Sequence, residues 1–394
     1  MKAIELEVAR KVKAMTRREV MLKAIEGRLT WMQAADILRM SPRQVRRLKW
    51  SFERYGVEGL RDGRGRPRRK RIPVDAVQQI LWLRREKYAD FSVKHFHEFL
   101  TERHGATISY TWVKELLQEA GLAEKAPGRG KYRRYRERRP MRGMLLHLDA
   151  STHEWIPGLP AMDLNVVMDD ADGRILHAAY VPQEGTHSTL QALAHVLEHH
   201  GRFCELYTDR GSHFCRTGDA QEGPDEVQRG QVARALKTLG VRHILARSPQ
   251  ARGRSERAFG TIQGRLPQEL RAAGIHDYAA AQDYLQRVFV PDFNRRFTVK
   301  PQQSESAFLP MAGVELELLL SIQHERVVRH DNVVVFKKLL LQLPSGGSRL
   351  HYARCPVQVH ELISGRLAIS YQGRIVARFN QDGAELPLLH RSAA

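Results

Sequence analysis

Met144-Leu145-Leu146-His147-Leu148-Asp149 is a short apolar run closed by a carboxylate, and it marks where the periodicity of this chain turns from helical to strand-like. Leu164–Met168 is a second such run, closed by Asp169-Asp170, and Asp172-Gly173 signals a hairpin before a third run, Ile175–Val181. Beyond it the pattern predicts a helix over Ser188–Glu198 and a strand over Phe203–Tyr207 that leads into Thr208-Asp209. A helix over Gln231–Leu239, a strand over Val241–Leu245 and a helix from about Arg254 to Leu266 follow. Strands in a meander, then strands alternating with helices, predict an α/β domain with a sheet part antiparallel and part parallel. Asp149 is expected at the end of the first strand, Asp209 at the end of the fourth, and Glu256 in the first turn of the helix after Ser248-Pro249. If the first and fourth strands are neighbours, their aspartates lie side by side, and a helix packed across that edge can present Glu256 to both.

Three carboxylates in a desolvated cleft repel one another, so an ionised cluster needs cations. All-oxygen ligands favour Mg²⁺ or Mn²⁺ over zinc. Two such ions, roughly 3.5–4 Å apart, can activate a water or hydroxyl and stabilise the leaving oxygen of a phosphodiester displacement. Asp169, Asp170 and Asp172 read as turn residues, and His147 and His213 as packing residues, with His213 also a candidate substrate contact. Cys204 and Cys215 read as buried or incidental.

Working outward, 394 residues suffice for several domains. No run approaches the roughly 18 apolar residues of a membrane span. The first residues, Met1–Glu7, lack the apolar core of a secretory signal. Three scattered cysteines exclude a disulfide scaffold and a four-cysteine zinc site, and a cytoplasmic, nucleoid-associated protein is expected. The formal charge is +20. Residues 1–142 hold 36 Lys and Arg against 17 Asp and Glu, a net of +19, and the remainder holds 28 against 27. One third of the chain is thus built to grip a polyanion, and nucleic acid is the expected partner.

That basic third reads as two helical modules with two linkers. Residues 1–62 show three short helices with a tight Met40-Ser41 turn before the last, a helix-turn-helix pattern. Its third helix offers Arg43, Gln44, Arg46, Arg47 and Lys49 to base edges and phosphates. Residues 63–73 form a basic linker in which Arg64, Arg66, Arg68 and Arg69 surround an Arg-Gly-Arg-Pro core like an AT-hook, which lies in a minor groove. Residues 74–127 repeat the helical theme as a second, less basic helix-turn-helix module that either docks on DNA or packs against its neighbour. Residues 128–142 are a second linker, with Arg133, Arg134 and Arg136 interleaved with tyrosines. The α/β core occupies 143–310, with Tyr278–Phe293 helical, and 311–394 show five short strands that read as a small barrel.

His147-Leu148-Asp149, Tyr207-Thr208-Asp209-Arg210-Gly211-Ser212-His213-Phe214 and Ser248-Pro249-Gln250-Ala251-Arg252-Gly253-Arg254-Ser255-Glu256-Arg257 resemble the three blocks of DDE transposases, the retroviral-integrase-like superfamily with an RNase H-like core. The resemblance covers about residues 140–300, and the two upstream modules are similar to those of bacterial insertion-sequence transposases grouped as ISNCY. It implies a multidomain protein with helix-turn-helix modules, an RNase H-like catalytic core and a C-terminal β-barrel. It implies further that Asp149, Asp209 and Glu256 hold two Mg²⁺ or Mn²⁺ ions, that element ends are cut and joined to target DNA, and that the protein acts as a dimer or larger assembly on duplex DNA. Two departures stand out. Asp209 and Glu256 are further apart in sequence than is typical, which the acidic insert Gly218–Glu226 accounts for as a surface loop. Seven positions after the glutamate, where many relatives carry a DNA-contacting basic residue, this chain has Gln263, so the phosphate contact is expected either to pass to Arg257 or Arg265 or to be absent. Competing readings are a sequence-specific DNA-binding regulator with an inactive core and a nuclease of the same fold.

Overall fold

The computed structural model describes residues 17–60, 72–124, 137–214, 230–246, 253–345 and 349–387. The chain divides into two compact units, Met1–Val77 and Gln78–Ala394.

The first unit holds helices α1 (residues 17–25), α2 (Trp31–Ile37) and α3 (Pro42–Tyr55). Two capping boxes start α2 and α3. The Thr30 and Ser41 hydroxyls accept the N–H groups of Gln33 and Gln44 at 3.2 and 3.3 Å, and each glutamine side chain accepts back from the cap N–H at 2.9 Å. These bonds satisfy donors that a seven-residue helix such as α2 leaves open in large proportion. Val20, Met21, Ala24, Ala34, Ala35, Val45 and Leu60 make the core, the alanines letting the helices close together. Gln44, expected at DNA, is therefore already engaged in its own helix start.

The boundary falls within α4 (Val74–Trp82), which is continued in the second unit by a π-turn over Leu83–Lys87, then α5 (Val93–His104) and α6 (Tyr110–Glu119), packed around Phe91, Phe96, Leu100, Val113 and Leu117. The central sheet follows: β1 (Leu145–His153), β2 (Met162–Asp169), β3 (Ile175–Val181), β4 (Glu205–Thr208) and β5 (Arg242–Leu245), in the order β3-β2-β1-β4-β5. The first three strands pair antiparallel; β1 with β4 and β4 with β5 pair parallel. Side chains alternate across the strands. Leu146, Leu148 and Leu206 face α7 (Thr186–His199) and α8 (Gln231–Leu239), while Leu164, Val166 and Ala178 face α9 (Gly253–Gln263), α10 (Leu266–Ala272), α11 (Tyr278–Tyr284) and α12 (Val290–Phe297). The single helix expected over residues 254–266 stops at Gln263, before Gly264, and the one expected over Tyr278–Phe293 reaches Phe297 through a π-turn at Leu285–Phe289.

The helical module of residues 74–121 packs on this core through charge. Glu98 accepts from Arg265 at 2.8 Å and pairs with Arg296 at 3.2 Å; Arg296 also pairs with Glu102, and Arg271 with Asp90. His95, fully buried, bonds Glu269 at 3.0 Å. Of the two roles open to this module, packing against its neighbour is what these contacts show.

The C-terminal strands differ from expectation. Among the described residues seven are found: β6 (Ile322–Val327), β7 (Val333–Phe336), β8 (Leu339–Gln342), β9 (Pro356–Glu361), β10 (Leu367–Tyr371), β11 (Arg374–Phe379) and β12 (Glu385–Leu386). Five pair as an open sheet, β12-β11-β10-β9-β6, and β7-β8 form a separate hairpin that shares its core through Val334, Phe336, Leu341, Val359, Ile369 and Phe379. No closed barrel is found among the described residues. The two-residue β12 ends one edge and β6 the other, and the hairpin strands pair only with each other.

Candidate active site

Asp149 lies in the middle of β1, not at its end. The reason is that β1 has two partners of different reach. Its ladder with β2 runs to His153–Met162, whereas its ladder with β4 stops at His147–Tyr207. Asp149 thus sits where the β4 side of the strand is released. Continuing the parallel register by two residues brings Asp149 level with Asp209, the residue immediately after β4. The expected adjacency of the two strands is what the sheet has.

The backbone around Asp209 is held closely. Its Oδ1 accepts the Gly211 N–H at 2.8 Å, and its carbonyl accepts the Thr208 hydroxyl at 2.9 Å. A Cβ on Gly211 would lie 2.8 Å from the His213 ring and 3.1 Å from that Oδ1, so a larger residue here has to displace the His213 side chain. The Thr208 hydroxyl also meets His243 Nε2 at 2.8 Å; burial takes His243 down to about 4, which keeps its imidazole neutral.

Helix α9 lies beside the same face of β1. Residues 147, 149 and 151 share that face by the strand's alternation. Gln263 Nε2 donates to Ser151 Oγ at 2.7 Å at one end of the helix. At the other end Arg254 pairs with Asp170, whose Oδ1 also accepts from His147 Nε2 at 2.8 Å. Nine helical residues and four strand residues each span about 13 Å, so the two anchors set helix and strand side by side. Glu256 falls between the helix anchors and Asp149 between the strand anchors. Glu256, Gly260 and Gln263 share a helical stripe, and nothing lies within 4 Å of a Cβ placed on Gly260, so the stripe faces open space. Glu256 is exposed, and Asp149 and Asp209 are half-buried. Among the described residues no three Asp, Glu, His or Cys side chains stand close enough together to hold a metal ion. The donor set nonetheless fits a hard cation: three carboxylates, without a thiolate or imidazole among them.

Beside α9 is a cavity of about 760 Å³ whose lining includes Arg138, Arg139, Arg254, Arg257, Lys300 and Phe297. Asp169, Asp170 and Asp172, read as turn residues, are 1, 1 and 0 % exposed and tie distant segments together. Asp169 accepts the N–H groups of Gly143 and Ala171 at 2.8 Å, and Asp172 accepts from Arg142 at 2.8 Å. Burial is the largest influence on Asp169 and pushes it up to about 6. Burial also opposes charge on Asp170, but hydrogen bonds from His147, Arg254 and the Arg139 N–H win and hold its carboxyl well below the usual range. Sequence reading missed this network; the one local signal was an arginine two residues before Glu256.

The other expected contacts divide. Arg43, Arg46 and Arg47 are exposed on α3, beside the exposed Trp50. Lys49 pairs with Glu53 at 3.7 Å and lies over the Trp31 ring. Arg257 is exposed, its Nε donating to the Gly253 carbonyl at 2.7 Å. Arg265, offered as a phosphate contact, is instead 8 % exposed, bonded to Glu98 and stacked over Phe297, its guanidinium engaged within the protein. Gln263, at the position where a basic residue was expected, holds Ser151. His213 pairs with Glu184 at 3.5 Å. Arg64, Arg66, Arg68, Arg69, Arg133, Arg134 and Arg136, like Cys215, the insert at residues 218–226 and the start of the third motif, lie outside the described residues.

Residues 16–68 match a helix-turn-helix domain family. Over 372 residues the chain is 32 % identical to y4bF of Sinorhizobium fredii, named as a transposase, covering 93 % of this chain and 80 % of the relative. A transposase for insertion sequence IS1202 of Streptococcus pneumoniae is 27 % identical over 376 residues, 86 % of this chain and 80 % of that protein. The chain belongs to the insertion-sequence transposases. Among solved structures, this transposase is similar at a TM-score of 0.32 and 15 % identity to a chain of the simian T-cell lymphotropic virus intasome, solved in complex with the PP2A regulatory subunit B56 gamma, over 73 % of this chain and 91 % of that one. No described helix of the transposase is long and apolar enough to cross a membrane.

Proposed function

We propose that this transposase binds the terminal inverted repeats of its element, cleaves phosphodiester bonds at the ends, and joins the 3′-OH ends to target DNA at an RNase H-like site. The observation that supports this reading is the parallel pairing of β1 with β4, whose register, carried two residues on, sets Asp149 level with Asp209, while the helix that bears Glu256 packs on β1. Asp149, Asp209 and Glu256 would hold two Mg²⁺ or Mn²⁺ ions. When bound, such a pair supplies charge neutralisation at the leaving oxygen and activates an attacking water or 3′ hydroxyl. The chain's own residues supply position. The Gly211 N–H and the Thr208 hydroxyl fix the backbone that presents Asp209, and Gln263 fixes the far end of α9 on β1. Arg257, exposed one residue beyond Glu256, takes a backbone phosphate as the strand crosses the cleft.

Recognition is assigned to the module of residues 1–62, with Arg43, Arg46 and Arg47 in a major groove and the linker of residues 63–73 continuing along the duplex. The core is assigned residues 143–310. Because two ends must be held for joining, a dimer or larger assembly forms on DNA, in the cytoplasm at the nucleoid. A supercoiled plasmid carrying the element ends tests the proposal. With Mg²⁺ the protein should nick at the ends, and Asp149→Asn, Asp209→Asn and Glu256→Gln should each abolish nicking while end binding persists. Full activity in any of the three would end the assignment of that residue.

A further inference from the structure

We propose that Asp170 is the positioning residue of this active site, a single buried carboxylate that fixes the Glu256 helix against β1 and couples it to the end of the second basic linker. The inference rests on the active-site reading above. Asp170 follows β2 directly and is 1 % exposed. Its Oδ1 takes His147 Nε2 from β1 at 2.8 Å and Arg254 from the first turn of α9. Its Oδ2 takes the Arg139 main-chain N–H at 2.8 Å, and its carbonyl takes Arg138 Nη1 at 3.0 Å. Its own N–H donates to the Leu145 carbonyl at 3.0 Å, locking the residue to β1. Each partner stands beside a functional element. His147 is two residues before Asp149 on the same face of β1, Arg254 is two residues before Glu256, and Arg138-Arg139 end the basic tether that leads into the core.

The geometry gives this node a task that packing alone does not. The apolar face of α9, through Phe259 and Ile262, fixes how the helix lies on the sheet, but its first turn, Gly253-Arg254-Ser255-Glu256, contributes no apolar side chain to that contact. That turn follows residues 247–252 directly and carries Glu256. An ion pair there sets how far the carboxylate of Glu256 stands from that of Asp149. A charge buried among three donors is a stiff anchor, because losing any donor leaves an uncompensated group in a dry site. Displacement by about 1 Å at a reacting centre can cost 100-fold in rate. A pull on the tether at Arg138-Arg139 reaches Glu256 through the same carboxylate, so DNA gripped by the linker and the acid at the cleavage site share one fixed point.

The test uses the full-length protein and three readouts: Mn²⁺ binding by calorimetry without DNA, affinity for an uncleaved end duplex in EDTA, and single-turnover end cleavage in Mg²⁺. Asp170→Asn should cleave about 100-fold more slowly and bind Mn²⁺ about 10-fold more weakly, with duplex affinity within about twofold. Arg254→Ala should follow it, and Arg254→Lys, which keeps the ion pair, should recover most of both losses. If Asp170→Asn does not fold, the two Arg254 variants decide, since Arg254 lies at the helix start and packs in no apolar cluster. Wild-type cleavage and Mn²⁺ affinity in Arg254→Ala, or a fall in melting temperature with both readouts unchanged, would overturn the proposal. A wild-type protein that neither binds Mn²⁺ nor cuts would instead defeat the active-site reading on which it rests.

Discussion

Asp169 and Asp170 adjoin each other, are equally buried, and are pushed in opposite directions by what surrounds them. For Asp169 desolvation outweighs two backbone N–H donors; for Asp170 a guanidinium, an imidazole and an N–H outweigh desolvation. The folded value of Asp169, about 6, lies above its ordinary 3.8. Its stabilising contribution is therefore complete below about pH 4 and is lost as pH rises through 6. Asp170 runs the other way: its contribution is present above about pH 4 and is lost only as pH falls far below that. Carbonyl NMR of Asp169 should show a midpoint near 6, and Asp169→Asn should remove a stability decline of about 3 kcal/mol between pH 4 and 6. A midpoint below 4 would contradict the dominance of burial. Neither carboxylate's role was legible in the sequence, where an Asp-Asp-x-Asp-Gly run says turn. The partners that make Asp170 a hub lie 23 and 84 residues away, and no local pattern registers them.

At the scale of elements, periodicity named most strands and helices of the core but not their reach. β1 was expected to end at Asp149 because Ala150-Ser151-Thr152 carries little apolar signal. Pairing with β2 extends it to His153 and leaves Asp149 in its middle. The C-terminal strands were mostly visible, yet whether a sheet closes depends on partner choice, which alternation does not encode; β6, polar at Gln323, His324 and Glu325, was not seen at all. Helix α3 separates two roles that its sequence blends. Gln44 belongs to the capping box, whereas Arg46 is exposed away from it. Gln44→Ala should lower the stability of this module by about 1 kcal/mol with duplex affinity unchanged. Arg46→Ala should leave stability alone and reduce the salt dependence of binding by about one phosphate contact. Titrations of both variants over a range of salt concentrations, beside their melting curves, would expose an exchange of roles.

For the whole second unit, the surprise is that acidic side chains of the helical module meet basic ones of the core. Arg265, Glu98 and Arg296 are each 10–13 % exposed in their side chains, so the group is shielded from screening salt. Truncating one member strands the others, and Arg265→Ala should cost about 3 kcal/mol while leaving the salt slope of DNA binding as it was. A lowered slope without loss of stability would return Arg265 to the phosphate backbone. Charge totals, which pointed so clearly to DNA, hide such internal pairs because they count a buried arginine like an exposed one. The order of the central sheet carries one more consequence. The meander of β1, β2 and β3 is local and can zip as it leaves the ribosome, but β4 arrives only after the α7 crossover, and α9 later still. A polypeptide stalled before β4 therefore carries Asp149 with no Asp209 beside it. On the proposed reading, the carboxylate set is complete only once synthesis has passed α9 and Glu256 has joined the two aspartates.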